Sequence, residues 1–322
     1  MTQYLPYILL LAGFVLLIKG ADFLVEGAVS IARRLNITDL VIGLTVVAFG
    51  TSAPELFVNL VAGIRGNTAL AVGNVLGSNI ANILLILGFA AVIYPLRVTR
   101  EIIRREIPFS LLAVIVLGLL ANDRLIDLAA DSRLTRSDGL VLLCFFVIFL
   151  YYNFSQAIAI QGVEAQIPAK AHGPLPAALM VVGGLTGLTL GGRWIVDGAI
   201  SIATGIGLSE EVVGLSIVAV GTSLPELATS AVAATKKKVD IAVGNVVGSN
   251  IFNIFFVLGI SATVRPIPFS PQSNIDLFTV VFASLLLFLF MFSGRRRRVD
   301  RWEGVVALVF YVGYIAFRLL GT

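Results

Sequence analysis

Charge is scarce in this 322-residue sequence: Asp, Glu, Lys and Arg make up 13% of it, against 58% hydrophobic residues, and the mean hydropathy is +0.98. That scarcity excludes a water-soluble globular domain, in which about a quarter of the residues carry charge. Cysteine and histidine are nearly missing. The one cysteine, Cys144, has no partner for an intrachain disulfide, and the one histidine, His172, sits in a polar connector near Lys170 and Pro174. A metal site of clustered Cys and His therefore has no material, and His172 reads as an ordinary loop residue. No basic residue precedes the first apolar run, which continues to Ile18. It reads as a retained first span rather than a cleaved signal peptide.

What the chain has in quantity is apolar segments of membrane length. A helical crossing needs roughly 20 mostly apolar residues, and ten segments qualify: 4–31, 38–64, 69–94, 106–121, 139–163, 174–205, 209–235, 241–262, 275–293 and 303–320. The fourth is the shortest, and needs its flanks or a locally thinned bilayer to cross. Lys and Arg fall unevenly between the connecting loops. One side carries Arg33, Arg34, Arg97, Arg100, Arg104, Arg105, Lys170, Lys236 to Lys238, Arg295 to Arg298 and Arg301. The other carries only Arg65, Arg124, Arg133, Arg136, Arg265 and Arg318. The richer side is expected to face the cytoplasm of a cell (inner) membrane, which puts both termini outside. The basic run Arg295 to Arg298 reads as a topology anchor touching anionic membrane lipid, not as a nucleic-acid site.

The chain also repeats itself. With an offset of 171 and no gaps, Gly50-Thr51-Ser52-Ala53-Pro54-Glu55-Leu56 falls on Gly221-Thr222-Ser223-Leu224-Pro225-Glu226-Leu227. Ala71-Val72-Gly73-Asn74-Val75-Leu76-Gly77-Ser78-Asn79-Ile80 falls on Ala242-Val243-Gly244-Asn245-Val246-Val247-Gly248-Ser249-Asn250-Ile251. Each half holds five spans, an odd number, so the second half enters the bilayer from the opposite side. The expected fold is an all-α integral membrane protein of ten transmembrane helices, arranged as two inverted five-helix repeats. The first repeat is residues 1–163, a short cytoplasmic connector is 164–173, and the second, inverted repeat is 174–322. Inverted repeats with interrupted helices near the midplane are the signature of secondary transporters working by alternating access.

The repeated motifs carry the chemistry. Glu55 is the one charged residue in the interior of the second span and Glu226 the one in the interior of the seventh. An ionised carboxylate there costs at least ~2.5 kcal/mol, which bound cations can offset. On a helix Ala48, Thr51, Ser52 and Glu55 share a face, as do Ala219, Thr222, Ser223 and Glu226. Hydroxyls and carboxylates on one stripe form the all-oxygen set that hard cations such as calcium and sodium select. Pro54 and Pro225 lack an N–H, so the carbonyls of Gly50 and Gly221 lose their helical donors and become further candidates. Ser78 with Asn82, and Ser249 with Asn253, add neutral oxygens from spans three and eight. The Gly73–Gly77 and Gly244–Gly248 steps read as close-packing positions. Lys19 with Asp22, and Arg193 with Asp197, read as helix-spaced ion pairs near span ends, and Glu26 has no assigned role. Without the repeat, each motif could equally be a proline-kinked helix whose Glu bonds to neighbouring hydroxyls.

These paired motifs resemble the two alpha repeats of the sodium/calcium exchanger family within the cation/calcium antiporter superfamily, in its compact prokaryotic form. The resemblance implies ten helices with the cation sites between spans two, three, seven and eight. It implies that Glu55 and Glu226 bind calcium and sodium, that Thr51, Ser52, Thr222 and Ser223 ligate through hydroxyls or carbonyls, and that Ala48 and Ala219 offer carbonyls. Ser78, Asn82, Ser249 and Asn253 complete the implied set. Spans one and six are implied to slide as a gating unit. Some members carry Asp where this chain has Asn253, including the potassium-dependent branch, so the resemblance does not extend to potassium co-transport.

The expected function is antiport of calcium against sodium, with the two ions as transported substrates and no cofactor. Proton-coupled or manganese-selective exchange on the same scaffold is the alternative, because oxygen ligands discriminate by cavity size and rigidity. A channel fits strict inverted symmetry less well. An intramembrane hydrolase using the Glu pair as acid and base is a distant reading. Neither an H-E-x-x-H motif nor an intramembrane His is present to support it. The sequence carries no signal of oligomeric state.

Overall fold

The computed structural model describes residues 5–65, 69–100, 102–159, 172–205, 221–293 and 297–320. Helical segments occupy all ten predicted spans. Span 1 is Leu5–Arg34, span 5 Arg136–Ala159, span 6 Pro174–Gly205, span 9 Ser273–Ser293 and span 10 Arg301–Leu320. Residues 206–220, which include most of the first half of predicted span 7 and Ala219, and most of the predicted connector, lie outside the described residues.

The burial pattern is that of a membrane protein. Phe57, Tyr151 and Phe278 on the outer faces are at least 70% exposed, whereas Glu55, Glu226, Asn79, Asn82 and Asn253 are 0% exposed at the centre. Water would drive the opposite arrangement; lipid accepts the apolar surface and leaves the polar groups to pair with one another. Spans 3 and 8 are central, with 72% and 94% of an apolar 18-residue stretch of each buried, against 33% for span 1 and 28% for span 5.

The short fourth span reaches membrane length by a device absent from simple helix periodicity. A π-helical segment of 5 residues, Ile102–Glu106, runs directly into the α-helix Ile107–Ala121. It recruits Arg104 and Arg105 to the end of the span that the charge count assigns to the cytoplasm. Span 2 is broken, as its proline predicts: Asp39–Thr51 and Ala53–Ile64 meet at an angle of 41°. Ser52 at the junction has φ −84° and ψ 4°. In the described part of span 7, Ser223 takes the same backbone conformation, φ −88° and ψ 5°, and the helix Leu224–Thr235 begins directly after it. Spans 3 and 8 each widen into π-helix at matching places, Ala81–Leu87 and Phe252–Leu258.

The two halves interlock rather than sit side by side. Strand β1 (Leu96–Arg97), after span 3, pairs with β4 (Arg298–Val299), before span 10; β2 (Arg133–Leu134), before span 5, pairs with β3 (Ile267–Pro268), after span 8. Each half thus lends its last helix to the other. Span 10 packs on span 3 and span 5 packs on span 8.

Spans 1 and 6 form the most extensive helix pair. Glycines spaced by seven make this possible: a Cβ on Gly13 would lie 2.8 Å from the Gly191 carbonyl, and one on Gly20 would lie 2.8 Å from that of Gly184. The glycines of the G-N-x-x-G-S-N motif behave unequally. Cβ atoms on Gly244 and Gly248 would strike span 2 at 3.1 Å and 2.7 Å, as close packing requires, whereas those on Gly73 and Gly77 meet nothing within 4 Å. The stretch of span 7 that the repeat would set against Gly73 and Gly77 lies outside the described residues.

Candidate cation site

The breaks in spans 2 and 7 decide where the carboxylates sit. Because each helix restarts just before its proline, Glu55 and Glu226 become first-turn residues of new helices. There the unsatisfied N–H groups and the positive end of the helix dipole favour an anion. Both carboxylates are fully buried, and each lies within electrostatic reach of the other.

The hydroxyl groups bond both within a half and across the pseudo-symmetry. Ser52 of the first half donates to Glu226 Oε1 at 3.1 Å, and Ser78 donates to Glu55 Oε1 at 3.4 Å. Ser78 also meets Ser223 Oγ at 3.0 Å. The Thr51 hydroxyl lies 3.0 Å from Asn245 Oδ1 and 3.5 Å from Ser249 Oγ. Ala48 is buried beside them, and its carbonyl accepts the Ser52 N–H at 3.0 Å. Asn253 donates to Ser78 Oγ at 3.2 Å, and Asn82 donates to Asn250 Oδ1 at 3.0 Å. The network therefore joins Glu55, Ser78, Ser223 and Asn253 on one side, and Glu226, Ser52, Thr51 and Ser249 on the other. Thr222 lies close to Glu55. Ala219 lies outside the described residues.

What the network leaves over is as informative as what it satisfies. Among the described residues, the buried side-chain oxygens with no hydrogen-bond partner are Glu55 Oε2, Glu226 Oε2, Asn82 Oδ1, Asn253 Oδ1, Thr222 Oγ1 and Thr229 Oγ1. Each such group costs about 1–3 kcal/mol, and more when charged. All but Thr229 belong to the repeated motifs. The carboxylate and amide oxygens of this set are acceptors with no donor, which is the chemistry of a site for a hard cation.

Several residues of this network escape motif reading. Asn245 ties the halves together, accepting from Thr51 and donating to Ser230 Oγ at 3.0 Å and to the Glu226 carbonyl at 3.4 Å. Its counterpart Asn74 donates to Asn59 Oδ1 at 2.9 Å. Asn79 and Asn250 hold the Asn253 and Asn82 amides. All except Asn59 and Ser230 lie inside the repeated motif; the available signal was a polar residue in an apolar span, repeated at the same offset. Thr229, one turn beyond Glu226, has Val58 as its repeat partner, so the repeat offered nothing to find it.

At the cytoplasmic ends assigned by charge, the expected Lys19–Asp22 pair is replaced. Asp22 instead meets Lys236 Nζ at 2.6 Å, and Glu26 meets the same ammonium at 2.8 Å. Helix spacing allows the local pair, but Lys236, which follows span 7, approaches both acids at once. Arg193 and Asp197 do pair, at 3.6 Å. His172 offers its backbone carbonyl to Arg34 Nε at 2.8 Å.

Comparison with known proteins places this geometry in context. Residues 5–155 and 176–320 match the family described as sodium/calcium exchanger protein. The inner membrane protein YrbG of Escherichia coli is 37% identical over 318 residues, covering 96% of this chain and 95% of the relative. The sodium/calcium exchanger MaX1 of Methanosarcina acetivorans is 32% identical over 342 residues, covering 96% and 97%. Solved structures of the sodium-calcium exchanger NCX_Mj superpose with a TM-score of 0.83 at 33% identity, covering 97% of this chain and 98% of the other.

Proposed function

We propose, from the premise that this chain belongs to the sodium/calcium exchanger family and is a multi-pass cation antiporter, that it exchanges calcium for sodium at one central site. The observation that carries this reading is the set of unpartnered buried oxygens on Glu55, Glu226, Asn82, Asn253 and Thr222. Two carboxylates match the charge of one calcium, and neutral oxygens from Ser52, Thr51, Ser78, Ser223 and Ser249 stand within the same network. Ala48 and Ala219 contribute backbone oxygens in this scheme. No resident cofactor enters it.

Coupling follows from electrostatics. An occluded site without cations would hold two buried carboxylates whose charge nothing balances. The carrier therefore changes face only when loaded, and because sodium and calcium draw on the same oxygens, one leaves as the other binds. The two inverted halves, 1–163 and 174–322 about the cytoplasmic connector 164–173, supply equivalent walls for the two faces. By the charge bias both termini lie outside, in an inner membrane as the description of the Escherichia coli relative suggests.

The test is calcium flux into proteoliposomes under sodium, potassium and proton gradients imposed one at a time. Sodium-driven uptake without potassium supports the reading. Uptake driven only by protons, or manganese transported in preference to calcium, replaces it. Labelling of engineered cysteines near Lys170 and at Thr322 tests the orientation; reaction at Thr322 from the cytoplasmic side overturns it.

A further inference from the structure

Resting on that cation-site reading, we propose that Asn79 and Asn250 are positioning residues. They hold the Asn253 and Asn82 amides so that oxygen, not NH2, faces the transported ion. An asparagine amide has nearly the same shape in its two flipped orientations. One presents an acceptor to a cation, and the other presents two N–H groups that repel it. Something must choose.

The hydrogen bonds supply the choice. A backbone carbonyl is an acceptor only, and the Asn250 carbonyl takes the Asn79 Nδ2 donor at 3.2 Å. That contact fixes the Asn79 amide and leaves its Oδ1 as an acceptor, which Asn253 Nδ2 fills at 3.1 Å. The second N–H of Asn253 goes to Ser78 Oγ at 3.2 Å. With both protons committed, Asn253 Oδ1 is the atom left over, buried and without a partner. On the other side Asn82 Nδ2 reaches Asn250 Oδ1 at 3.0 Å, and Asn82 Oδ1 is likewise buried without a partner.

Each positioning residue thus acts on the opposite half: Asn79 on Asn253, Asn250 on Asn82. All four side chains are at most 2% exposed, so bulk water cannot substitute for a lost partner. The consequence is selectivity. An ion–dipole interaction grows with the charge of the ion, so a flipped amide penalises calcium more than sodium.

The experiment uses Asn79→Leu in the full chain, reconstituted in proteoliposomes, with the half-saturating calcium and sodium concentrations and the thermal unfolding midpoint measured together. Outer-shell partners of metal ligands typically change affinity by about 10- to 100-fold, and a rise of that size is expected for calcium, with a smaller one for sodium. The decisive arm repeats Asn79→Leu in an Asn253→Asp background. A carboxylate has two oxygens and no N–H, so its orientation carries no information, and there Asn79→Leu should not raise the calcium requirement. An equal rise in both backgrounds would show a merely structural role and overturn the proposal, as would no rise in the native background. Should Asn79→Leu fail to fold, Asn250→Leu with and without Asn82→Asp makes the same comparison. Failure of the site reading itself looks different: Asn253→Leu and Glu55→Gln would then transport calcium normally.

Discussion

Ser52 donates its hydroxyl to Glu226 across the interface of the two halves at 3.1 Å, but its repeat counterpart Ser223 turns instead to Ser78, at 3.0 Å. The sequence repeat is symmetric at these positions and the structure is not. Such inequality is what an alternating carrier requires, since two inverted halves with identical internal contacts would define a single symmetric state.

That inequality has a measurable consequence for single hydroxyl deletions. Ser52→Ala removes a neutral-to-charged hydrogen bond worth about 1.5–3 kcal/mol, so calcium affinity is expected to fall by about ten- to a hundredfold. Ser223→Ala, which loses a contact between two hydroxyls, should cost less. Calcium isotherms of the two purified variants check this, and equal losses would contradict it.

Glu55→Gln and Glu226→Gln keep volume and remove charge. Each variant should insert and fold, yet lose calcium exchange to below about one hundredth of the native rate, because one carboxylate leaves a dehydrated calcium under-compensated. Flux assays on protein shown to be monodisperse decide it. Near-native transport by either variant would remove that residue from the site.

The span 1 and span 6 interface should be intolerant at its glycines. A Cβ at Gly20 lies 2.7 Å from the Leu188 nitrogen, with no flexible side chain to yield, so Gly20→Leu is expected to separate the pair and lower the unfolding midpoint sharply. Gly313→Ala is the control. Nothing lies within 4 Å of its Cβ, and alanine favours a helix by about 1 kcal/mol over glycine. Thermal unfolding of both variants in one detergent provides the comparison.

Lys236 binds span 1 to the end of span 7 through Asp22 and Glu26. Burial lowers the pKa of its ammonium, but hydrogen bonds and charge from the two acids outweigh burial and hold it above the ordinary lysine value. A raised value in the folded state means that the contribution is complete below the unfolded lysine pKa and disappears as pH rises through the folded one. Lys236→Gln should therefore lower the unfolding midpoint by about 1–3 °C at every pH from 6 to 9. The difference should close only in strongly alkaline solution; a difference that already vanishes by pH 8 would refute the clamp.

The repeat changes the residues that make this clamp: Asp22 aligns with Arg193 and Glu26 with Asp197, and those two pair within span 6. Both identities are written in the chain. That Lys236 reaches Asp22 in place of Lys19 is not.

This contrast divides what each level decides. Properties that belong to one residue or one segment are legible in the sequence: apolar length sets the spans, the missing N–H of Pro54 and Pro225 breaks spans 2 and 7, and an isolated Glu55 or Glu226 in an apolar helix demands a counter-charge. An odd number of spans per repeat is enough to invert the halves. Helix periodicity tells which face a side chain takes, but never which partner waits there. Only the tertiary structure decides that spans 5 and 10 are exchanged between halves through the β1–β4 and β2–β3 pairings. It also decides that π-turns lengthen span 4 and widen spans 3 and 8, and that Asn79 and Asn250 finish with the amides of the opposite repeat. The physical reason is that a hydrogen bond depends on a few tenths of an ångström and a direction, and both are set by helices more than 150 residues apart.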